Sequence, residues 1–309
     1  MRFVRYFSDL HQRAVVGRVV DEHVLALDPS LTLIGLLGDD GSALRAAGES
    51  AETAPHEVVT LSEANLLSVV ERPPTVRDFY AFEGHVRAGR ASRGLAMDPA
   101  WYQAPIFYFS NPYAVCGPGV VPVAPGSQAF DFELEIAAII GRSGSDLTPG
   151  EGEASIAGYC VMNDFSARDL QRWEMALSLG PVKGKDTATA LGPFFVTADE
   201  LEPRRSRNGF ELTMTARLNG TEISRASFAD IYWSFGEMIA YATRGTWVHP
   251  GDVIGSGTCD TGCILELSRG GTDPTVPYLV PGDVVELAVD LLGTLRNEVA
   301  AGQPIIPLR

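Results

Sequence analysis

Phe130-Asp131-Phe132-Glu133-Leu134-Glu135-Ile136-Ala137-Ala138-Ile139-Ile140 opens with acids at alternate positions and closes wholly apolar. Side chains along a strand alternate between two faces, so the stretch reads as one strand with Asp131, Glu133 and Glu135 on a single face. Three acids on one face repel. A solvated polar face is the plain explanation, but the neighbours are apolar, and buried charges need partners. Asn163-Asp164 follows in the equally apolar Val161-Met162-Asn163-Asp164-Phe165, and Lys183 and Lys185 close the block. Those two are the only lysines among 24 basic side chains; the other 22 are arginine. An ammonium is a compact charge with a movable pKa, and a guanidinium is not. The block therefore reads as a hard-cation site with a lysine aimed at an anionic intermediate. Oxygen donors suit Mg²⁺, Mn²⁺ or Ca²⁺ rather than zinc.

At 309 residues the chain has enough length for a large core with a small extra domain. A net charge of −15, with no basic tract, argues against nucleic acid and against an anionic membrane surface. No run approaches the roughly 18 apolar residues of a membrane helix, and no apolar stretch follows Met1–Tyr6 as in a signal peptide. The expectation is a cytoplasmic protein with Cys116, Cys160, Cys259 and Cys263 reduced. Cys259 and Cys263 lack the second pair or nearby histidines that a zinc site wants.

Working outward, Arg2–Tyr6, Ala14–Val20 and His23–Leu27 read as strands, and Ser42–Ala47 as a short helix. Pro73-Pro74 is the strongest boundary signal. It divides the chain into a small β-rich N-terminal domain, 1–72, and a catalytic domain, 73–309. Arg77–Arg93 reads as a helix loosened by Gly84 and Gly89, which suits a lid. Ile106–Phe109, Val120–Val123 and Tyr159–Met162 read as strands, and Ser166–Leu177 and Ser234–Thr243 as helices. Asn219-Gly220 is a hairpin turn between two further strands. Strands outnumber helices without βαβ alternation, so the fold class is mixed α+β and β-rich.

Three other features carry chemistry. His85 lies on the loose segment, where a general base needs a carboxylate to set its tautomer. Glu266, in Ile264-Leu265-Glu266-Leu267, reads as a strand acid among apolar residues and is a candidate partner. Gly255-Ser256-Gly257-Thr258 has neither Walker nor Rossmann spacing, but offers Thr258 and backbone N–H groups to a substrate carboxylate.

In combination, Arg77-Asp78-Phe79-Tyr80 with His85, Phe132-Glu133-Leu134-Glu135, Asn163-Asp164-Phe165-Ser166-Ala167-Arg168-Asp169 with Gln171, Gly184-Lys185, Gly255–Thr258 and Leu265-Glu266-Leu267 resemble the fumarylacetoacetate hydrolase family over most of residues 71–309. The resemblance implies a β-sandwich roll, a homodimer and a role in aromatic catabolism. It implies Asp78, Glu133, Glu135 and Asp164 as metal ligands, with Asp131 behind them. It makes His85, paired with Glu266, the group that activates water, and Lys185 the cation facing the enolate. Tyr80, Gln171 and Thr258 match substrate positions, and Arg90 or Arg93 is left to hold a substrate carboxylate. Met175 stands where the family carries a tyrosine. One extra residue separates Trp173 from Gly180-Pro181, and Ser110 replaces a lysine of smaller relatives.

The reaction this implies is hydrolytic cleavage of a C–C bond in a 1,3-diketo acid of the acylpyruvate type. The alternatives are a decarboxylase, isomerase, tautomerase or dehydratase of a 2-keto acid on the same site, or a metal-binding module without catalysis.

Overall fold

The computed structural model describes residues 1–268 and 275–309. Among the described residues, two sheets dominate. The larger has twelve strands, and its path runs Val58–Thr60, His23–Ala26, Arg13–Val20, Arg2–Ser8, Thr189–Thr197, Ile156–Asp164, Leu134–Ile140, Val253–Gly255, Val76–Phe79, Phe107–Ser110. The smaller orders Thr221–Ser227, Thr213–Leu218, Val284–Val289, Gly293–Ala300 and Gly119–Pro122. The architecture is the mixed, sheet-rich α+β class read from the sequence.

The alternation of the central strand explains how the layers stack. Leu134, Ile136, Ala138 and Ile140 face one way, into a core shared with Met214, Ala216, Val285 and Leu287 of the smaller sheet. Ala137 and Ile139 face the other way, into a second core. That core also holds Val76, Cys160, Met162 and Val253, and it is covered by Phe3, Val16, Leu27, Leu44, Val69 and Val70. Residues on either side of the 72/73 division thus share one apolar cluster. They also share one sheet, since Arg2 and Phe3 pair with Val196 and Phe195.

Several local readings need correction. The acid stretch is not one strand: Phe130–Asp131 pairs with Ser166–Ala167, and the central strand starts afresh at Leu134. Arg77–Arg93 is not one helix: Val76–Phe79 is a strand and the helix is Glu83–Ala91. β-branched and aromatic Val76 and Phe79, pairing between two strands, override the helical pattern. Ile264–Leu267 is a single helical turn rather than a strand. Ser166 is no N-cap, because its hydroxyl donates to the Asp164 carbonyl at 3.1 Å and Ala167 precedes the helix Arg168–Ala176. The Asn219-Gly220 hairpin forms as expected, with φ of +52° and +80°.

Candidate active site

The strand pairing assembles the acids. Asp78 has the parity of Val76, Glu135 that of Ala137, and Asp164 that of Cys160 and Met162, so all three lie on the face covered by the N-terminal residues. Gly255 pairs with both Asp78 and Ala137. It leaves the room these carboxylates need, since a Cβ there would stand 2.4 Å from Asp78 Oδ1. Glu133 arrives from the break before the central strand, bridged to Cys263. The result is one buried group: oxygen atoms of Asp78, Glu133, Glu135 and Asp164 all lie within 4.8 Å of one another.

Two buried cations thread this group. Lys185 donates to Asp164 at 2.5 Å and to Glu133. Arg168 bridges Asp131 and Glu133, each at 2.7 Å. Asp131 also accepts the N–H groups of Ile264 and Leu265, at 2.7 and 3.0 Å. It is not one of the four clustered acids and holds Arg168 in place beside Glu133; the ladder of strand Phe130–Asp131 ends before the central strand begins at Leu134. Lys183 does not reach the acids. It is exposed and pairs with Asp186 at 2.6 Å.

Five buried acids against two cations leave negative charge in excess. Burial, with Asp78 and Glu133 nearby, pushes Asp164 up to about 7 despite Lys185. Burial and the surrounding carboxylates hold Glu135 well above its usual range, and Asp78, hydrogen-bonded to it, is raised chiefly by burial. Glu133 goes the other way: burial opposes its charge, but Lys185 and Arg168 hold it below the ordinary carboxylate range. A buried, all-oxygen donor set short of positive charge fits a divalent cation.

His85 is the third residue of the helix Glu83–Ala91, which follows the Asp78 strand. Its Nδ1 bonds Glu266, and both side chains are buried. Cys263 Sγ lies 3.7 Å from Glu266 Oε1, and burial holds its thiol well above the usual range, so it stands there protonated. The dyad adjoins the acids through Cys263, whose backbone bridges to Glu133. Thr261 donates its N–H to Glu266 Oε2 at 3.0 Å.

The expected substrate residues divide. Tyr80 packs edge-on against the His85 ring, with centroids 5.4 Å apart. Gln171 accepts from Arg168 at 3.2 Å. Thr258 is buried and donates to Glu135 at 3.4 Å, so its hydroxyl already serves the acid group. Arg90 turns outward to the Ala96 carbonyl, at 2.5 Å, and to Asp98. Arg93 donates to the Gly89 carbonyl at 3.0 Å, and Gly89 lies beside Tyr80, whose hydroxyl would stand 3.2 Å from a Cβ there.

Three participants escaped the sequence reading. Tyr108 donates to Asp78 at 2.7 Å and lies against Asp164 as well. Its signal was the strand register, because Tyr108 pairs with Asp78. Arg168 sat inside a quoted motif, but no pattern linked it to Glu133. Glu174 accepts the N–H groups of Val182, Lys183 and Gly184, at 2.8, 2.6 and 3.1 Å, which fixes the turn leading into Lys185.

The profile of the family described as Fumarylacetoacetate (FAA) hydrolase C-terminal matches residues 75–300. The fumarylacetoacetase of Arabidopsis thaliana is 29% identical over 67% of this chain and 63% of its own length, so the chain spans less than two thirds of that relative. The oxaloacetate tautomerase YisK of Bacillus subtilis (strain 168) is 26% identical over 94% of this chain and 98% of its own. The solved structure of maleylpyruvate hydrolase from Sphingobium sp. SYK-6, in complex with manganese(II) ion and pyruvate, shares the fold. Its TM-score is 0.71 at 22% identity, over 98% of this chain and all of that one. No described helix is long and apolar enough to cross a membrane.

Proposed function

Because the chain belongs to the fumarylacetoacetate hydrolase family, we propose that it hydrolyses a C–C bond in a 2,4-diketo acid of the acylpyruvate type, with a divalent cation at the four acids. The observation that carries this reading is the buried His85–Glu266 pair beside Glu133. Asp78, Glu133, Glu135 and Asp164 would hold the cation, Mg²⁺ by preference, with Mn²⁺ or Ca²⁺ as alternatives, and a protein of the same fold solved with manganese(II) and pyruvate supports a divalent cation there. Bound there, a cation supplies a Lewis acid for the keto oxygens.

The chain's own residues do the rest. With Nδ1 engaged by Glu266, His85 Nε2 takes a proton from water, and Glu266 steadies the imidazolium. The hydroxide adds to the carbonyl carbon. The C–C bond then breaks to a carboxylic acid and an enolate, which recovers the proton. Lys185 places positive charge beside that developing anion. Arg93, near Tyr80, takes the distal carboxylate.

The test is product analysis with a 2,4-diketo acid. One water is consumed and two acids appear, turnover stops with a chelator, and His85→Ala loses about 10²–10⁴-fold in kcat. Full turnover in His85→Ala sinks the hydrolytic role.

A second reading, keto–enol tautomerisation of a 2-keto dicarboxylic acid, is favoured by the near full-length match to YisK. Loss of the enol absorbance of oxaloacetate without cleavage would select it. The family assignment, the intact dyad and the lysine speak against a metal-binding module without catalysis.

A further inference from the structure

We propose that Asp260 is a positioning residue that latches the His85 helix against the acid centre; this rests on the reading of His85 as the proton-taking group. The helix Glu83–Ala91 starts without a cap of its own, because Phe82 stands at the N-cap and no side chain there bonds the first turn. The first N–H groups of a helix lack intrahelical partners. A capping side-chain oxygen normally accepts from the second or third of them. Asp260 does this from 175 residues away: its Oδ1 accepts the N–H of His85, the third helical residue, at 3.0 Å. Its carboxylate lies flat against Gly84, where a Cβ would stand 2.2 to 2.5 Å from it. Gly84 is thus an opening cut for that carboxylate, not a loosening of the helix. A negative charge also suits this end of the helix dipole.

The next residue grips the other half of the dyad. Thr261, at φ +59°, donates its N–H to Glu266, and its hydroxyl is tied to Ser224 at 3.0 Å. Ser224 lies in the Thr221–Ser227 strand of the smaller sheet. Two consecutive residues therefore fix His85 by its backbone and Glu266 by its carboxylate, and anchor both to a rigid element. Asp260 touches the backbone of His85 and not its ring, so it acts through His85.

The experiment compares Asp260→Asn and Asp260→Ala in the full chain saturated with Mn²⁺. Asn keeps an acceptor oxygen, and Ala keeps none. In Asp260→Ala, kcat for the diketo acid falls by about 10- to 100-fold, as a displaced base requires. KM and Mn²⁺ affinity stay within about twofold, and Asn recovers most of the rate. By hydrogen-exchange mass spectrometry on the metal-free chain, residues 83–87 exchange about fivefold faster or more in Asp260→Ala, the usual cost of a lost cap, and at the native rate in Asp260→Asn. Native kcat in Asp260→Ala, or Asn as slow as Ala, overturns the proposal. So does unchanged exchange in Asp260→Ala, even where His85 proves essential. A His85→Ala chain of full activity, in contrast, overturns the hydrolytic reading and leaves the exchange result standing. Should Asp260→Ala fail to fold, Gly84→Ala, which drives a methyl into the carboxylate, must show the same rate loss and faster exchange; native behaviour there overturns the latch.

Discussion

Lys185 is where the electrostatics of the acid group are most exposed to test. Removing one partner of a buried ion pair typically costs about 3–5 kcal/mol. Lys185→Met keeps the bulk and removes the charge beside Glu133 and Asp164. We expect a loss of that size in denaturant unfolding of the metal-free protein, and a smaller one with saturating Mn²⁺. The same carboxylates set a pH dependence. Asp78, Glu135 and Asp164 are raised, the last to about 7, so without a cation the folded chain binds more protons than the unfolded one. That stability is fully present below pH 3.8, the ordinary carboxylate value, and is lost as pH rises through about 7. Glu133, held low, works in the opposite sense only below its ordinary value of 4.5. Metal-free unfolding free energy should therefore fall between about pH 4 and 7, and Mn²⁺, replacing the protons, should flatten the slope. A metal-free protein equally stable at both ends of that window would contradict the burial argument.

At the scale of elements, the acid group depends on strands approaching without side chains between them. Gly255→Ala sets a methyl 2.4 Å from Asp78 Oδ1. We expect at least about a tenfold loss of Mn²⁺ affinity by titration calorimetry, the usual cost of disturbing a ligand's support, with the circular dichroism of the sheet unchanged. This dependence also shows what sequence could reveal. Glu133, Glu135 and Asp164 were legible because acids in apolar runs must be partnered. Their convergence was legible only through resemblance, since no local pattern reports that the Asp78 strand pairs with Val253–Gly255. The break at Phe132–Glu133, which turns Asp131 towards Arg168, leaves no mark on the alternating pattern. Glu266 misread as a strand residue for a similar reason: one helical turn is too short for a period to show. Gly84 was read as looseness although it serves a contact made by a residue far along the chain.

For the whole molecule, the sharing of one sheet across the 72/73 division has a direct test. A chain of residues 73–309 alone would bare Ile139, Met162, Leu191, Phe195 and Val253, all buried beneath the N-terminal residues. At about 1.5–3 kcal/mol for each large side chain, that loss rivals the about 5–15 kcal/mol that holds a domain folded. We expect the shortened chain to be insoluble, or to lack a cooperative melt by calorimetry; a soluble fragment with a sharp transition would support 73–309 as a unit separable from 1–72. The contrast between the two lysines reaches beyond catalysis. With Lys185 sealed inside and Lys183 in solvent, amine-directed chemistry finds a single lysine to modify, and the Met1 amine, the other amine, is tied to Glu200 at 2.7 Å. A fluorophore or solid support joined at Lys183 would report from the loop that leads into the acid group, with no engineered cysteine or tag required.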